Sequence, residues 1–255
     1  MPPPDPSCFQ ILETSLYTAA KGLVLLDSHL ERMHSSASQL SHYYSAPCFP
    51  CDHISPQLVE SRLSDALRKI AAASPSGAPV ESARVRILLS SDGSLSVQAV
   101  AIPLTSGQQY QEQAPPLLVL DCQPTLDLQS PFVFCKTTHR LIYDAAVERT
   151  LVPADYPHGS LVLLYNTDGH ITEANIANVA VSLPSSADGG QMRLVTPPIS
   201  AGLLPGTMRN YLLRTGKLIE GVVTVDQFKL AVRNGWPVMC MNSVRGLFPV
   251  TPVVI

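Results

Sequence analysis

Apolar positions along this chain follow two rhythms, and the switches between them outline a succession of elements. FQILETSLY at 9–17 reads as a strand. After an AAKG turn, LVLL leads into HLERMHSSASQL, where Leu30, Met33, Ala37 and Leu40 recur at helical spacing. Asp27 or Ser28 is the expected cap of that helix, because a short oxygen-bearing side chain can accept from the first free amides. Residues 44–56 contain Pro47, Pro50, Pro56, Cys48 and Cys51 and read as a solvent-facing loop. A second amphipathic helix is expected over about 56–73, with Leu58, Leu63, Ala66, Leu67 and Ile70 on one side. ARVRILLS and LSVQAV flank Asp92-Gly93, a pair suited to a tight hairpin turn. This first stretch predicts a small α/β unit.

GQQYQEQAPP at 107–116 is polar, ends in two prolines and is the expected linker. Beyond it the pattern predicts a strand at 117–121 and a helix at about 140–150. LVLLYNTDGHITE reads as a hairpin turning at Asp168-Gly169, and NVAVSL as a buried strand. SSADGG is a turn, MRLVTPP an edge strand, and Pro205-Gly206 opens a helix. GVVTV, a short helix beginning near Asp226 and the strands WPVMCMNS and LFPVTPVVI complete the chain. Strands outnumber helices in this second part, which predicts a barrel-like β-rich domain with helices outside. The expected boundaries are 1–110 and 117–255, and the expected class is α/β of the α+β kind.

Composition narrows the range of functions. Seventeen Lys and Arg against 20 Asp and Glu give a net charge of −3, unlike a protein that grips nucleic-acid phosphates. Apolar residues at 45% and charged residues at 15% are enough for a sizeable core. Proline, at 23 of 255 residues, exceeds the usual ~5% and predicts short elements joined by stiff loops. No run reaches the ~18–20 apolar residues of a membrane helix. MPPPDPSCFQ has neither a secretory nor a presequence pattern, so the cytosol is the expected compartment. The six cysteines are then expected as thiols. Cys48-Phe-Pro-Cys51 with His53 lacks a second ligand pair at motif spacing, so no metal site is expected.

Four segments lack an evident packing purpose. In FVFCKTTHRLIYDAA, Lys136 follows an apolar strand, where desolvation can make an amine nucleophilic; taken alone it reads first as an exposed lysine. In LLYNTDGHITEANIANVAV, Glu173 ends a buried hairpin strand near Asn175 and Asn178, and needs a cationic or N–H partner; an ordinary ion pair is the simplest answer. In TPPISAGLLPGTMRNYLL, the turn at Pro205, Gly206 and Thr207 offers backbone amides to an anion, or is a plain proline-initiated helix. In MCMNSVRG, Asn242 and Ser243 end a strand and offer a polar side chain and amides to the same anion. A lysine, a carboxylate and an anion cradle together suit pyridoxal phosphate, whose aldehyde, pyridine nitrogen and phosphate need those three partners.

The chain resembles the fold-type IV pyridoxal-phosphate enzymes, the superfamily of branched-chain and D-amino acid aminotransferases, and within it aminodeoxychorismate lyase most. The resemblance runs from Phe9 to Val250. It is carried by ILET at 11–14, LLDSHLERM at 25–33, KTTHRLIYD at 136–144, TDGHITEANIANVAV at 167–181, TPPISAGLLPGTMR at 196–209 and NSVRGLFPV at 242–250. It implies a two-domain fold with the cofactor mainly on the second domain. Lys136 is then the Schiff-base lysine and catalytic residue, and Glu173 the partner of the pyridine nitrogen. Arg32 reaches the phosphate, although alone it reads as a helix-surface charge. Thr207 and Met208 give phosphate their backbone amides at the Gly206 turn, with Ser243 and Asn242 on a second phosphate loop. Leu204 packs on the ring or simply in the core. Arg140 and Tyr143 support these residues from behind, and Glu13 and Thr14 face the pocket. Arg84, Arg86, Arg209 and Arg245 are unranked candidates for substrate carboxylates. The Pro- and Cys-rich loop at 44–56 has no counterpart in the family.

The resemblance implies a lyase that splits 4-amino-4-deoxychorismate into 4-aminobenzoate and pyruvate in folate precursor synthesis. The alternative is a class IV aminotransferase, which differs only in the fate of the carbanion: reprotonation at the cofactor carbon instead of expulsion of enolpyruvate. A non-catalytic cofactor-binding protein is the third reading, disfavoured by the retained Lys136 and Glu173. The expected partners are a small-molecule substrate and a second copy of the chain, with no nucleic acid and no membrane.

Overall fold

The computed structural model describes residues 3–74, 77–103, 114–126, 130–150, 159–185 and 189–254. The chain divides into two compact units, Met1–Gln108 with Cys135–His139, and Gln109–Phe134 with Arg140–Ile255. Most of the linker expected at 107–116 lies outside the described residues.

The first unit is built from β1 (Ile11–Thr18), β2 (Gly22–Leu23), α1 (Leu26–Tyr43), α2 (Pro56–Ala73), β3 (Ser82–Leu89) and β4 (Leu95–Ala101). Its sheet has the order β2-β1-β3-β4, antiparallel throughout. Ile11, Glu13 and Ser15 pair across the sheet with Leu89, Ile87 and Val85, and all six are buried. Leu30, Met33, Ala37 and Leu40 of α1 are buried as their spacing requires. Ser55 caps α2 through its hydroxyl and Pro56 opens it, a combination that satisfies one free amide and needs no other there. Gly93, at φ 85°, closes the β3–β4 turn, where a side chain would be strained and would also strike Pro50.

Two expectations in this unit are corrected. The first helix is entered through Leu25 in the left-handed conformation (φ 55°), not through an Asp27 or Ser28 cap. Asp27 therefore sits inside the first turn, where its charge favours the helix N-terminus. The loop at 44–56 is also less exposed than expected. Phe49, Cys51 and Ile54 are buried, and Phe49 packs on Phe9 at 5.3 Å between ring centres. The Phe49 N–H donates to the Ser91 carbonyl, so the loop is tied down by backbone as well as by apolar packing.

In chain order the second unit contains β5 (Leu117–Leu120), α3 (Pro131–Phe134), α4 (Leu141–Arg149), β6 (Ser160–Tyr165), β7 (Ile171–Ala174), β8 (Asn178–Pro184) and β9 (Met192–Thr196). It continues with α5 (Thr207–Arg214), β10 (Ile219–Glu220), α6 (Val225–Arg233), β11 (Val238–Asn242), β12 (Gly246–Pro249) and β13 (Thr251–Val253). The strands form two sheets, β13-β5-β6-β7 and β10-β9-β8-β11-β12. One core joins them: Leu118, Leu163 and Ile171 of the first sheet share it with Val179, Val181, Cys240 and Phe248 of the second, closed by Phe228 of α6. Thr224 caps α6 in a reciprocal box with Gln227.

Two strand expectations change. MRLVTPP is not an edge, because β10 pairs in parallel outside β9. GVVTV links β10, which ends at Glu220, to α6, which Val225 opens. LFPVTPVVI is two strands in two sheets. The Val250 N–H still bonds to Val238, but the Thr251 N–H bonds to Pro116, so the chain changes sheet between consecutive residues. The apolar run before Lys136 is corrected too: Pro131–Phe134 is a single helical turn, favoured by proline in its first position.

Among the described residues, no helix is long and apolar enough to cross a membrane.

Candidate active site

In the first unit, Lys136 lies on the extended stretch Cys135–His139, which docks against the start of β1. The Leu12 N–H donates to the Lys136 carbonyl at 2.9 Å, and the Thr138 N–H to the Gln10 carbonyl at 2.9 Å. The Thr138 hydroxyl accepts from the Gln10 N–H in return. Cys135 and Thr137 are buried while Lys136 is half-buried, the alternation of an extended segment with one face inward. Lys136 is therefore held by backbone bonds at its own carbonyl and two residues further on.

Arg32, on α1, makes a fork on Glu13 of β1: its Nε donates to Oε1 at 2.8 Å and its Nη2 to Oε2. His29 Nδ1 lies 2.6 Å from the same Oε2. Glu13 and His29 are fully buried. Burial pushes the Glu13 carboxyl up, but the charge and hydrogen bonds of Arg32, with His29, outweigh it and hold the group down at about 2. Glu13, expected to face a pocket, instead fastens α1 to the sheet, because successive strand residues point to opposite faces and Glu13 shares its face with α1.

The second unit holds the other site candidates. Glu173, at 5% exposure on β7, accepts from three elements. The Tyr143 hydroxyl of α4 donates to Oε1 at 2.8 Å, the Leu204 N–H to Oε1 at 3.0 Å, and Asn178 Nδ2 of β8 to Oε2 at 3.2 Å. Burial and the adjoining Glu173 charge push the Tyr143 phenol well above its usual range, so it remains a donor. The Arg140 guanidinium lies over the Tyr143 ring at 4.7 Å and donates to the Asn175 carbonyl at 2.6 Å. Asn175 Oδ1 in turn accepts from the Val162 N–H. Tyr143 thus touches Glu173 itself, and Arg140 touches Tyr143 and the turn after Glu173.

Gly206 is the N-cap of α5, with no side-chain cap bond, and Thr207 is its first residue. The Thr207 and Ser243 hydroxyls meet at 2.6 Å, joining the two segments expected to form phosphate loops. Met208 packs with Ala180, Leu212, Leu218 and Met241, so its side chain faces the core and its backbone lies in the first turn. Asn242 Oδ1 accepts from the Val244 and Arg245 N–H groups, and this shapes the turn that presents Ser243. Arg209 does not suit a substrate carboxylate. It is 1% exposed, and its Nη2 donates to Glu220 and to the Pro197 carbonyl. Arg245 is exposed, with its guanidinium over the Phe248 ring at 5.2 Å.

Asn178 has the role least visible in the sequence reading. It appeared there only as a neighbour of Glu173, yet a buried asparagine opening the apolar run NVAVSL is a signal in itself.

Within the second unit, a buried carboxylate and a helix N-terminus whose Thr207 hydroxyl meets that of Ser243 make a donor set suited to a ligand with a cationic ring nitrogen and a phosphate. Residues 10–253 match the family described as Amino-transferase class IV, and the chain belongs to that family. Pyridoxal phosphate is the cofactor that this membership implies. The residues fit it: amides and hydroxyls suit a phosphate, and the Glu173 carboxylate suits a protonated ring nitrogen.

A Schizosaccharomyces pombe protein named "Putative aminodeoxychorismate lyase" is 37% identical over 92% of this chain and 86% of its own length. A structure titled as a "Putative amino-acid aminotransferase", from Mesorhizobium loti, has a TM-score of 0.71 at 27% identity, over 97% of this chain and all of that one. The 4-amino-4-deoxychorismate lyase of Pseudomonas aeruginosa shares the fold, with a TM-score of 0.63 at 18% identity over 96% of this chain and 83% of that one.

Proposed function

We propose that this protein is a pyridoxal-phosphate-dependent lyase converting 4-amino-4-deoxychorismate into 4-aminobenzoate and pyruvate. The observation that carries the choice is the 37% identity, along nearly the whole chain, to the Schizosaccharomyces pombe protein bearing a lyase name. The buried cradle around Glu173 supports the cofactor chemistry common to this reading and its rival.

When bound, the cofactor supplies an electron-accepting ring that takes up the electron pair left on carbon after a proton is lost. The protein's residues have four tasks. Lys136 holds the cofactor through its amine and, once released, moves a proton between the substrate carbon and the departing enolpyruvate. Glu173 holds a proton at the pyridine nitrogen, with its own carboxylate oriented by Tyr143, Asn178 and the Leu204 N–H. Thr207, Met208 and Ser243 bind phosphate at the start of α5. Leu204 packs on the ring. Every atom of the substrate reappears in the two products, so no oxidant or second substrate is needed. The product ring becomes aromatic, which supplies much of the driving force.

The second reading is an aminotransferase acting on an amino acid or amine, favoured by the 27% identical Mesorhizobium loti protein and its aminotransferase title. The two separate in one assay. The enzyme is incubated with aminodeoxychorismate and no keto acid, and 4-aminobenzoate and pyruvate are followed. Sustained turnover, with both products in equal amounts, is expected. No turnover, combined with keto acid release from an amino acid, makes the aminotransferase the correct reading. Lys136→Ala should remove both turnover and the visible absorbance of bound cofactor; absorbance that persists would assign the wrong lysine.

A further inference from the structure

The second unit carries two anchors of opposite chemistry, the Glu173 carboxylate and the amide-and-hydroxyl turn at Gly206 and Thr207. One side chain reaches both. Asn178, at the start of β8 and 5% exposed, donates from Nδ2 to Glu173 Oε2 at 3.2 Å and to the Leu204 carbonyl at 3.0 Å. The Leu204 N–H donates to Glu173 Oε1 at 3.0 Å. Glu173, Asn178 and Leu204 therefore close a ring of three hydrogen bonds. On its other side, Asn178 Oδ1 occupies the space beside Gly206. A Cβ built on that glycine would come within 1.8 Å of Oδ1 and 3.1 Å of Cγ. Gly206 has an ordinary negative φ of −64°, so the glycine is required here by the close approach of Asn178 and not by backbone conformation.

We propose that Asn178 is a positioning residue that sets the separation between the Glu173 carboxylate and the anion-binding turn of α5. This inference rests on the cofactor role proposed above. A ligand with a cationic ring nitrogen and a phosphate at a fixed spacing needs both anchors at once, and an error at either end weakens both. The asparagine amide is suited to this. It has donors for the carboxylate and the carbonyl on one atom and a flat oxygen face for the glycine on the other. Aspartate, of the same shape, would lose the donors and set a second carboxylate against Glu173.

The test titrates the apo-enzyme with pyridoxal phosphate and with unphosphorylated pyridoxal, reading the visible absorbance of the bound aldehyde. Asn178→Ala is expected to weaken pyridoxal phosphate binding by about tenfold to a hundredfold, the loss that follows when a buried charged acceptor forfeits a donor. Two further readouts distinguish positioning from general loosening. The affinity advantage of the phosphorylated over the unphosphorylated aldehyde should shrink, reporting the turn. The pH at which the bound absorbance changes should move, reporting Glu173. Gly206→Ala should weaken binding alone, and Asn178→Ala/Gly206→Ala should be no weaker than Asn178→Ala, because the clashing atom has gone. Strictly multiplicative losses in the double variant, or movement of only one readout, overturn the proposal. If melting of the apo-protein shows that Asn178→Ala does not fold, Asn178→Ser, which keeps a small polar group, takes its place in the same cycle. A wild-type enzyme that binds neither aldehyde defeats the cofactor reading itself; one that binds pyridoxal phosphate while the variants bind equally well defeats only the role of Asn178.

Discussion

Two buried carboxylates, one in each unit, show how the same group is used differently. Glu13 meets a guanidinium fork and an imidazole, both from α1, within a few residues of one another. Its charge is matched by a full opposite charge, and the pair fastens one helix to one strand. Glu173 is oriented by a phenol, a side-chain amide and a backbone amide from three separate segments. These neutral donors aim the carboxylate, which suits the role proposed for it toward a cationic ring nitrogen. A buried ion pair with both partners on one helix is a structural device. A buried carboxylate oriented by neutral dipoles from three segments is a preorganised one.

The sharpest way to break this contrast is to neutralise each carboxylate in turn. Glu173→Gln should lower turnover by roughly 10²–10³-fold, the range seen when one preorganised electrostatic partner is removed. The melting temperature of the apo-protein should change far less than turnover does. Steady-state kinetics beside a thermal melt reads both; a variant that unfolds while retaining its activity per folded molecule would reverse the assignment.

Glu13→Gln should act the other way, destabilising the apo-protein by about 3–5 kcal/mol because it leaves Arg32 buried beside a neutral partner. The effect is pH-dependent. The Glu13 carboxyl is held at about 2 in the folded protein against an ordinary 4.5. The unfolded chain therefore takes up a proton first as pH falls. The stabilisation is full above 4.5 and is lost as pH falls from there toward 2, a change on the order of 3 kcal/mol. Urea denaturation of wild type and Glu13→Gln at pH 7, 5 and 3.5 should show the gap between them narrowing with acid. A constant gap would remove the ion pair from the explanation.

The smallest effect sharpens the contrast. Tyr143→Phe removes one of the three donors shown on Glu173 and leaves the Arg140 stacking surface intact. A hydrogen bond to a charged group contributes about 1.5–3 kcal/mol, so turnover should fall by roughly tenfold to a hundredfold, less than for Glu173→Gln. An effect equal to that of Glu173→Gln would mean that Tyr143 itself touches the reacting groups.

Much of the fold was legible because it is local. Asp92-Gly93 and Asp168-Gly169 marked their hairpins, apolar spacing over 56–73 marked α2, and unbroken apolarity marked β8 as buried. The misreadings fall where distant partners intervene. The sheet change at Val250 and the burial of Phe49 depend on what the chain meets, not on neighbouring residues.

By itself the sequence determined which residue types were present for chemistry, and in what order. A lysine, two acids, a glycine turn and a pair of hydroxyl-bearing loops can be read from their motifs, because each motif is a short run. Only the tertiary structure decided what each acid touches. Glu13 and Glu173 both lie in strands and are both buried, and no rhythm of apolar positions separates them. Their partners do, and those partners lie up to 31 residues away in the chain. Hydrogen bonds and charges act over ångströms of space, and folding alone sets which residues share that space.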